Sequence, residues 1–257
     1  MAKKKIIDLI ILIVIISLTS TGLFAQRSLQ DKSSGWSVGL MSGFFSRGIK
    51  CDTQIITMNT PAGLLLAKGQ NLGWTVDLSF FAGYGNSGLN GILFDRLPVS
   101  LDYQAGGIGG WLFGVKADWP IFSVGDYTFG LSADLMTFLG EKKSFSLEGF
   151  AEPGNATIQP NWSQASSGFF LLYDGLEKIQ PFLIAEASFF WGTFKATETI
   201  SDLTGSQGQK LKASGLLRLT AGGNYKLAEN FLLVPSLTVY PASKTAISAE
   251  LSLLYSF

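Results

Sequence analysis

Residues 111–119 alternate side chain by side chain, with Trp111, Phe113, Val115, Ala117 and Trp119 on one parity and Leu112, Gly114, Lys116 and Asp118 on the other. Period two is the signature of an extended strand whose faces meet different surroundings. The tryptophans at both ends of the apolar parity narrow the choice further. At roughly 3.3 Å per residue and a tilt of about 40°, they stand about 20 Å apart along the normal, near the height of the apolar band of a lipid-spanning barrel. Aromatic side chains collect at both margins of such a band.

The pattern recurs along the chain. Leu72, Trp74, Val76, Leu78, Phe80, Ala82 and Tyr84 alternate with Gly73, Thr75, Asp77, Ser79, Phe81 and Gly83. Residues 127–136, 183–191, 211–225 and 247–257 read the same way, and weaker strands fit at 36–46, 89–101, 167–174 and 231–240. The 211–225 register places Leu211, Leu217 and Leu219 outside and Lys212, Leu216 and Arg218 inside. Only 15% of residues are charged and the mean hydropathy is +0.29, yet no run reaches the ~18 apolar residues of a spanning helix. Helices and closed barrels alone satisfy their backbone in lipid. The expectation is an all-β chain forming a single antiparallel transmembrane barrel of ten strands, or eight if the chain before Leu72 and residues 85–107 lie outside the wall. Short periplasmic turns are expected at 85–88, 121–126, 175–180 and 226–230, and long outer loops at 47–71, 140–166 and 196–210. Trp74, Tyr84, Trp111, Trp119, Tyr127, Trp191 and Tyr225 are the expected girdle aromatics.

The N-terminus reads as an address. Lys3, Lys4 and Lys5 precede an apolar stretch at 9–16, and Ala25 offers a small residue at a cut before Gln26. A cleaved leader at 1–25 would leave 26–257 as one barrel with its loops. At the other end Ile247, Ala249, Leu251, Leu253, Tyr255 and Phe257 alternate with Ser248, Glu250, Ser252, Leu254 and Ser256. A last strand ending in an aromatic residue resembles the C-terminal signal of small bacterial outer-membrane barrels of the OmpA/OmpX class. That resemblance implies outer-membrane lipid as the surroundings and recognition of Tyr255 and Phe257 by the barrel-assembly machinery.

This register turns Asp77, Lys116, Asp118, Asp134, Glu186, Arg218 and Glu250 inward. Asp77, Asp134, Arg218 and Glu250 each lie seven residues from an aromatic of the periplasmic margin, so they are expected at one depth. An unpaired buried charge is costly, so Arg218 should find carboxylates. The interior is then either a hydrogen-bonded plug, the favoured reading for narrow barrels, or a narrow path favouring cations, because acids outnumber bases.

The chain has no histidine, which removes the usual general base of barrel hydrolases, and neither a metal-ligand cluster nor a phosphate-binding loop is visible. Glu141 and Glu152 read as solvated loop charges. The expectation is no enzyme, no cofactor and, at zero net charge, no nucleic-acid partner. Cys51 stands alone and reads as an ordinary loop or strand residue. A surface-interaction role would fall on the outer loops, with Phe145, Phe150 and Trp162 as contacts or as side chains that pin the loop. A secreted lipocalin-like barrel, with its apolar parity inside, is the inverse arrangement.

Overall fold

A computed structural model describes residues 35–51, 54–72, 76–89, 91–104, 106–147 and 154–257, which form fourteen strands. They are β1 (Gly35–Cys51), β2 (Gln54–Leu72), β3 (Val76–Leu89), β4 (Ile92–Phe94), β5 (Leu101–Tyr103), β6 (Gly107–Val124), β7 (Tyr127–Gly140), β8 (Lys143–Leu147), β9 (Gly154–Tyr173), β10 (Ile179–Ile200), β11 (Leu203–Ala213), β12 (Leu217–Ala228), β13 (Phe231–Tyr240) and β14 (Ala246–Ser256). The ring runs β1-β2-β3-β6-β7-β9-β10-β12-β13-β14, and β14 closes antiparallel on β1 from Ser37↔Ser256 to Phe44↔Ala249. The barrel of ten antiparallel strands is thus present. Both ends of the described chain meet at one margin, where the Phe257 amide donates to the Trp36 carbonyl.

The count agrees with the sequence while two of its members do not. Residues 47–71, expected as an outer loop, complete β1 and form β2, with Cys51 paired directly to Gln54. Residues 89–101, expected as a wall strand, instead contribute to a separate small sheet of β4 and β5. Residues 85–88, expected as a turn, continue β3 toward the margin opposite the termini. The expected loop 196–210 is a tight hairpin: Ile200 pairs with Leu203, and Ser201 takes a φ of 51° to make the two-residue turn. Most of the expected loop 140–166 is likewise β8 and the upper part of β9. The turns near 125, 176 and 229 lie at the terminal margin, where Gly125 supplies the positive φ between Val124 and Tyr127.

The wall does not keep ten strands over its whole height. β11 pairs with β10 through Trp191↔Lys212 and with β1 through Ile49↔Ala213 and Cys51↔Leu211. Below residues 214–216, β12 takes over beside β10, and the β13–β14 hairpin fills the gap between β12 and β1. The ring therefore has ten strands near the termini and eight toward the far margin. The step also shifts the alternation by one residue. Leu217 faces out at 46% exposure, whereas Leu211 is 1% exposed and Lys212 faces out. The expected outward Leu211 and inward Lys212 and Leu216 are therefore reversed, because one uniform strand had been assumed where the chain breaks.

The two halves have opposite polarity. Near the termini the outer face carries Trp36, Leu40, Phe80, Trp111, Phe113, Trp119, Tyr127, Leu183, Phe189, Trp191, Leu251 and Tyr255, all exposed. Tyr84 meets Trp111 edge-on at 5.8 Å, and Phe231 meets Tyr255 at 5.1 Å, within two aromatic rows at opposite margins of the belt. Tyr225 is half-buried, and Trp74 lies outside the described residues. Beyond the row of Trp111 and Trp191 the pattern inverts. On β10, Thr193, Lys195 and Thr199 point out, while Phe194 and Ala196 are fully buried. Met58, Leu89, Ile108, Phe138 and Ile158 are buried at the same end of β2, β3, β6, β7 and β9. A single strand thus has an apolar exterior below and an apolar interior above. The polar interior expected from the sequence is confined to the lower half, where the charges lie, and even there Ile184 and Leu254 are buried among them.

Candidate functional site

The lumen is built in three layers. The lowest holds charges from seven strands. Arg218 on β12 donates to Asp134 on β7 and lies 3.3 Å from Glu186 on β10, its directly paired neighbour. Arg218 also reaches the Ser166 hydroxyl at 3.3 Å. Lys116 and Asp118, both on β6, pair at 3.1 Å, and Lys68 on β2 pairs with Asp77 on β3 at 3.5 Å. Glu250 sits half-buried on β14 opposite Gly43. The structure brings Asp134, Glu186 and Arg218 together and places Asp77 with Lys68, a residue of the expected loop 47–71.

An ion pair among buried groups is worth little relative to apolar packing, but removing one partner leaves a charge stranded. Arg218→Met should therefore lower the unfolding free energy by about 2 kcal/mol, since Asp134 and Glu186 lose their charged donor. Denaturant titration in detergent checks this, and Asp134→Asn added to the variant should recover part of the loss. A midpoint unmoved by Arg218→Met would show that the layer is solvated and carries no coupling.

The middle layer is organised by Arg47, which is 3% exposed. Its guanidinium donates to Gln164 Oε1 on β9, to the Ser188 hydroxyl at 2.7 Å, to the Ser188 carbonyl at 2.9 Å and to the Gly215 carbonyl at 3.3 Å. It also lies over the Tyr240 ring at 4.7 Å and the Phe190 ring at 5.5 Å. β1 and β9 are not neighbours in the ring, so Arg47 and Gln164 bridge the lumen between them. Gln164 extends the network to the Tyr240 hydroxyl, and Ser166 bonds Ser188 at 2.9 Å. The layer lies where ten strands become eight, and a planar five-donor fork suits it because it meets side-chain and main-chain acceptors together.

The top layer is apolar. Phe138 stacks on Trp162 at 5.4 Å, and Trp162 leans on Phe190 at 5.4 Å. Trp162, expected as a loop contact, is 2% exposed in the lumen, where its indole donates to the Ser87 hydroxyl. Into this layer descends the β4–β5 hairpin. Phe94 and Tyr103 contact the fully buried Phe194 at 5.6 and 5.1 Å, and Ile92 and Leu97 are buried with them. Phe145 meets Tyr103 at 6.0 Å, a pinning contact; Phe150 and Glu152 lie outside the described residues. Three side chains of the β10–β11 hairpin hold the insert: Glu198 accepts from the Val99 amide at 2.9 Å, Gln207 accepts from the Arg96 amide, and Gln209 donates to the Leu93 carbonyl. Burial raises the Tyr103 phenol above its ordinary range, and its hydroxyl donates to the Gly106 carbonyl.

Arg47 and the apolar insert are the functional features missed in the sequence. Arg47 was assigned to a loop with the rest of 47–71. The insert resembles a weak wall strand because Leu89, Leu93, Leu97, Val99 and Leu101 fall on one parity of 89–101. Among the described residues no group of three or more metal-binding side chains comes together.

No protein family and no curated protein matches the sequence. Solved structures do resemble the fold. The translocator domain of the autotransporter NalP from Neisseria meningitidis is similar at 10% identity and TM-score 0.49, over 97% of this chain and 98% of that one. The outer membrane protease OmpT from Escherichia coli is similar at 11% identity and TM-score 0.48, over 91% and 99%. Ail, the attachment invasion locus protein of Yersinia pestis, is similar at 12% identity and TM-score 0.35, over 87% and 97%.

Proposed function

We propose that the chain is an outer-membrane barrel with a sealed lumen, whose role is structural or one of surface interaction. The inversion of polarity along single strands supports the membrane placement. An apolar exterior bounded by two aromatic rows suits hydrocarbon, and the polar exterior above it suits water. A lipocalin-like secreted barrel would need the apolar face inside over its full height. On this reading the termini are periplasmic, a leader at 1–25 is removed on export, and Tyr255 and Phe257 are presented to the assembly machinery.

The observation that carries the sealed reading is Arg47, bonded from one wall to the other beneath a packed apolar layer. Where the ring narrows to eight strands the lumen has room for side chains and little more. The chain would then act outward through the eight-strand dome rather than conduct. The refolded mature chain in a planar bilayer should show no steady current. A stable ohmic conductance in every insertion would make the narrow cation path the correct reading instead. The absence of histidine supports a role without hydrolytic chemistry of the usual kind.

A further inference from the structure

Among the described residues, one side of the dome wall carries a basic patch with no facing carboxylate. Lys195 on β10, Lys210 and Lys212 on β11, and Lys50 on β1 all point outward and are exposed. Lys50 and Lys212 are directly paired across β1 and β11, and Thr193↔Lys210 and Lys195↔Gly208 put Lys195 on the diagonal from Lys210. Neighbouring Cβ atoms are then about 5 to 8 Å apart. Lys244, also exposed, lies in the β13–β14 turn, which abuts Gly48, the next outward residue of β1 below Lys50. The outward neighbours of this group on β2 and β9 are Ile55, Thr57, Gln159, Asn161 and Ser163, all uncharged. None of the five lysines makes an ion pair among the described residues.

Like charges directly opposite in a sheet repel one another. Five such groups on three strands and the adjoining β13–β14 turn are tolerated where anions neutralise them. The height identifies the anion. Lys212 is paired with Trp191, the last aromatic of the belt, so the patch begins at the aromatic margin itself, where lipid headgroups meet the hydrocarbon. Basic clusters at that level attract anionic headgroups. We propose that Lys50, Lys195, Lys210, Lys212 and Lys244 form a binding site for the phosphate groups of a multiply phosphorylated glycolipid of the outer leaflet. Two phosphates on one lipid match a patch several lysines wide better than a single phosphodiester does. The assignment rests on the membrane placement given above.

The test uses the whole mature chain and a variant carrying Lys50→Gln, Lys195→Gln, Lys210→Gln and Lys212→Gln. Both are reconstituted in nanodiscs of phosphatidylcholine containing equal small amounts of phosphatidylglycerol and lipid A, then released and weighed intact by native mass spectrometry. The unaltered chain should retain lipid A over phosphatidylglycerol by roughly tenfold, and the variant should retain neither preferentially. Equal retention by the two chains, or equal retention of the two lipids, would overturn the site. A heparin oligosaccharide bound by the detergent-solubilised chain without any lipid preference would also overturn it and assign the patch to a soluble polyanion. Heat-modifiable mobility of both chains keeps folding out of the result. A chain that stays soluble without detergent would refute the membrane placement, a failure separate from that of the patch.

Discussion

Arg47→Met should lower the unfolding free energy by about 3 kcal/mol, although it removes a charge from the interior and inserts a side chain that packs well. The change strands three acceptors at once, Gln164 Oε1 and the carbonyls of Ser188 and Gly215, while the Ser188 hydroxyl keeps its bond from Ser166. At about 1 kcal/mol for each buried acceptor left unmade, the loss reaches that size before the rings of Tyr240 and Phe190 are considered. Arg47→Lys separates charge from geometry. An ammonium group keeps the charge but cannot bridge β9 and β10 as a fork does, so about half of the loss should persist. Urea or guanidinium unfolding followed by tryptophan fluorescence reads both variants. If Arg47→Met unfolds at the wild-type midpoint, the guanidinium is incidental to the closure and the sealed reading loses its main support.

The same residue shows where sequence reading works and where it stops. The belt was legible because hydrocarbon outside imposes one polarity on every strand, so Trp111, Phe113 and Trp119 stood out against Lys116 and Asp118. The dome was not, because the rule reverses there. Lys50, Thr57 and Asn59 face water and Met58 and Ile56 face the core, which reads as loop to a test tuned to lipid. The turns hid as well. Ser201-Asp202 makes a two-residue hairpin without glycine, so the chain announced no reversal between Ile200 and Leu203. Leu211 and Lys212 were assigned backward because the break at 214–216 shifts parity by one, and a period-two pattern holds no record of a bulge. Arg218 could be matched with Asp134 from distances along each strand, since both lie on belt strands. Arg47 could not, because its partners Gln164 and Gly215 sit beyond the belt and at the break.

Phe194→Ala is expected to cost about 3 to 5 kcal/mol and to free the inserted hairpin before the barrel itself unfolds. Phe194 is fully buried and touches both Phe94 and Tyr103, so its loss opens a cavity between the wall and the insert. The hairpin has few other attachments. β4 and β5 form a sheet of their own, separate from the wall, and the polar ties come from Glu198, Gln207 and Gln209. The ring below has continuous ladders on both sides of every strand and should not notice the cavity at first. Local opening of this kind follows the distribution of contacts rather than the global stability. Limited proteolysis therefore reads the change: cleavage within 95–100 should rise at least tenfold in Phe194→Ala, while heat-modifiable mobility of the barrel is kept. Cleavage at the wild-type rate would mean that the hairpin is held by its polar ties alone. In that case Glu198→Gln, which weakens acceptance from the Val99 amide, would become the variant that frees it.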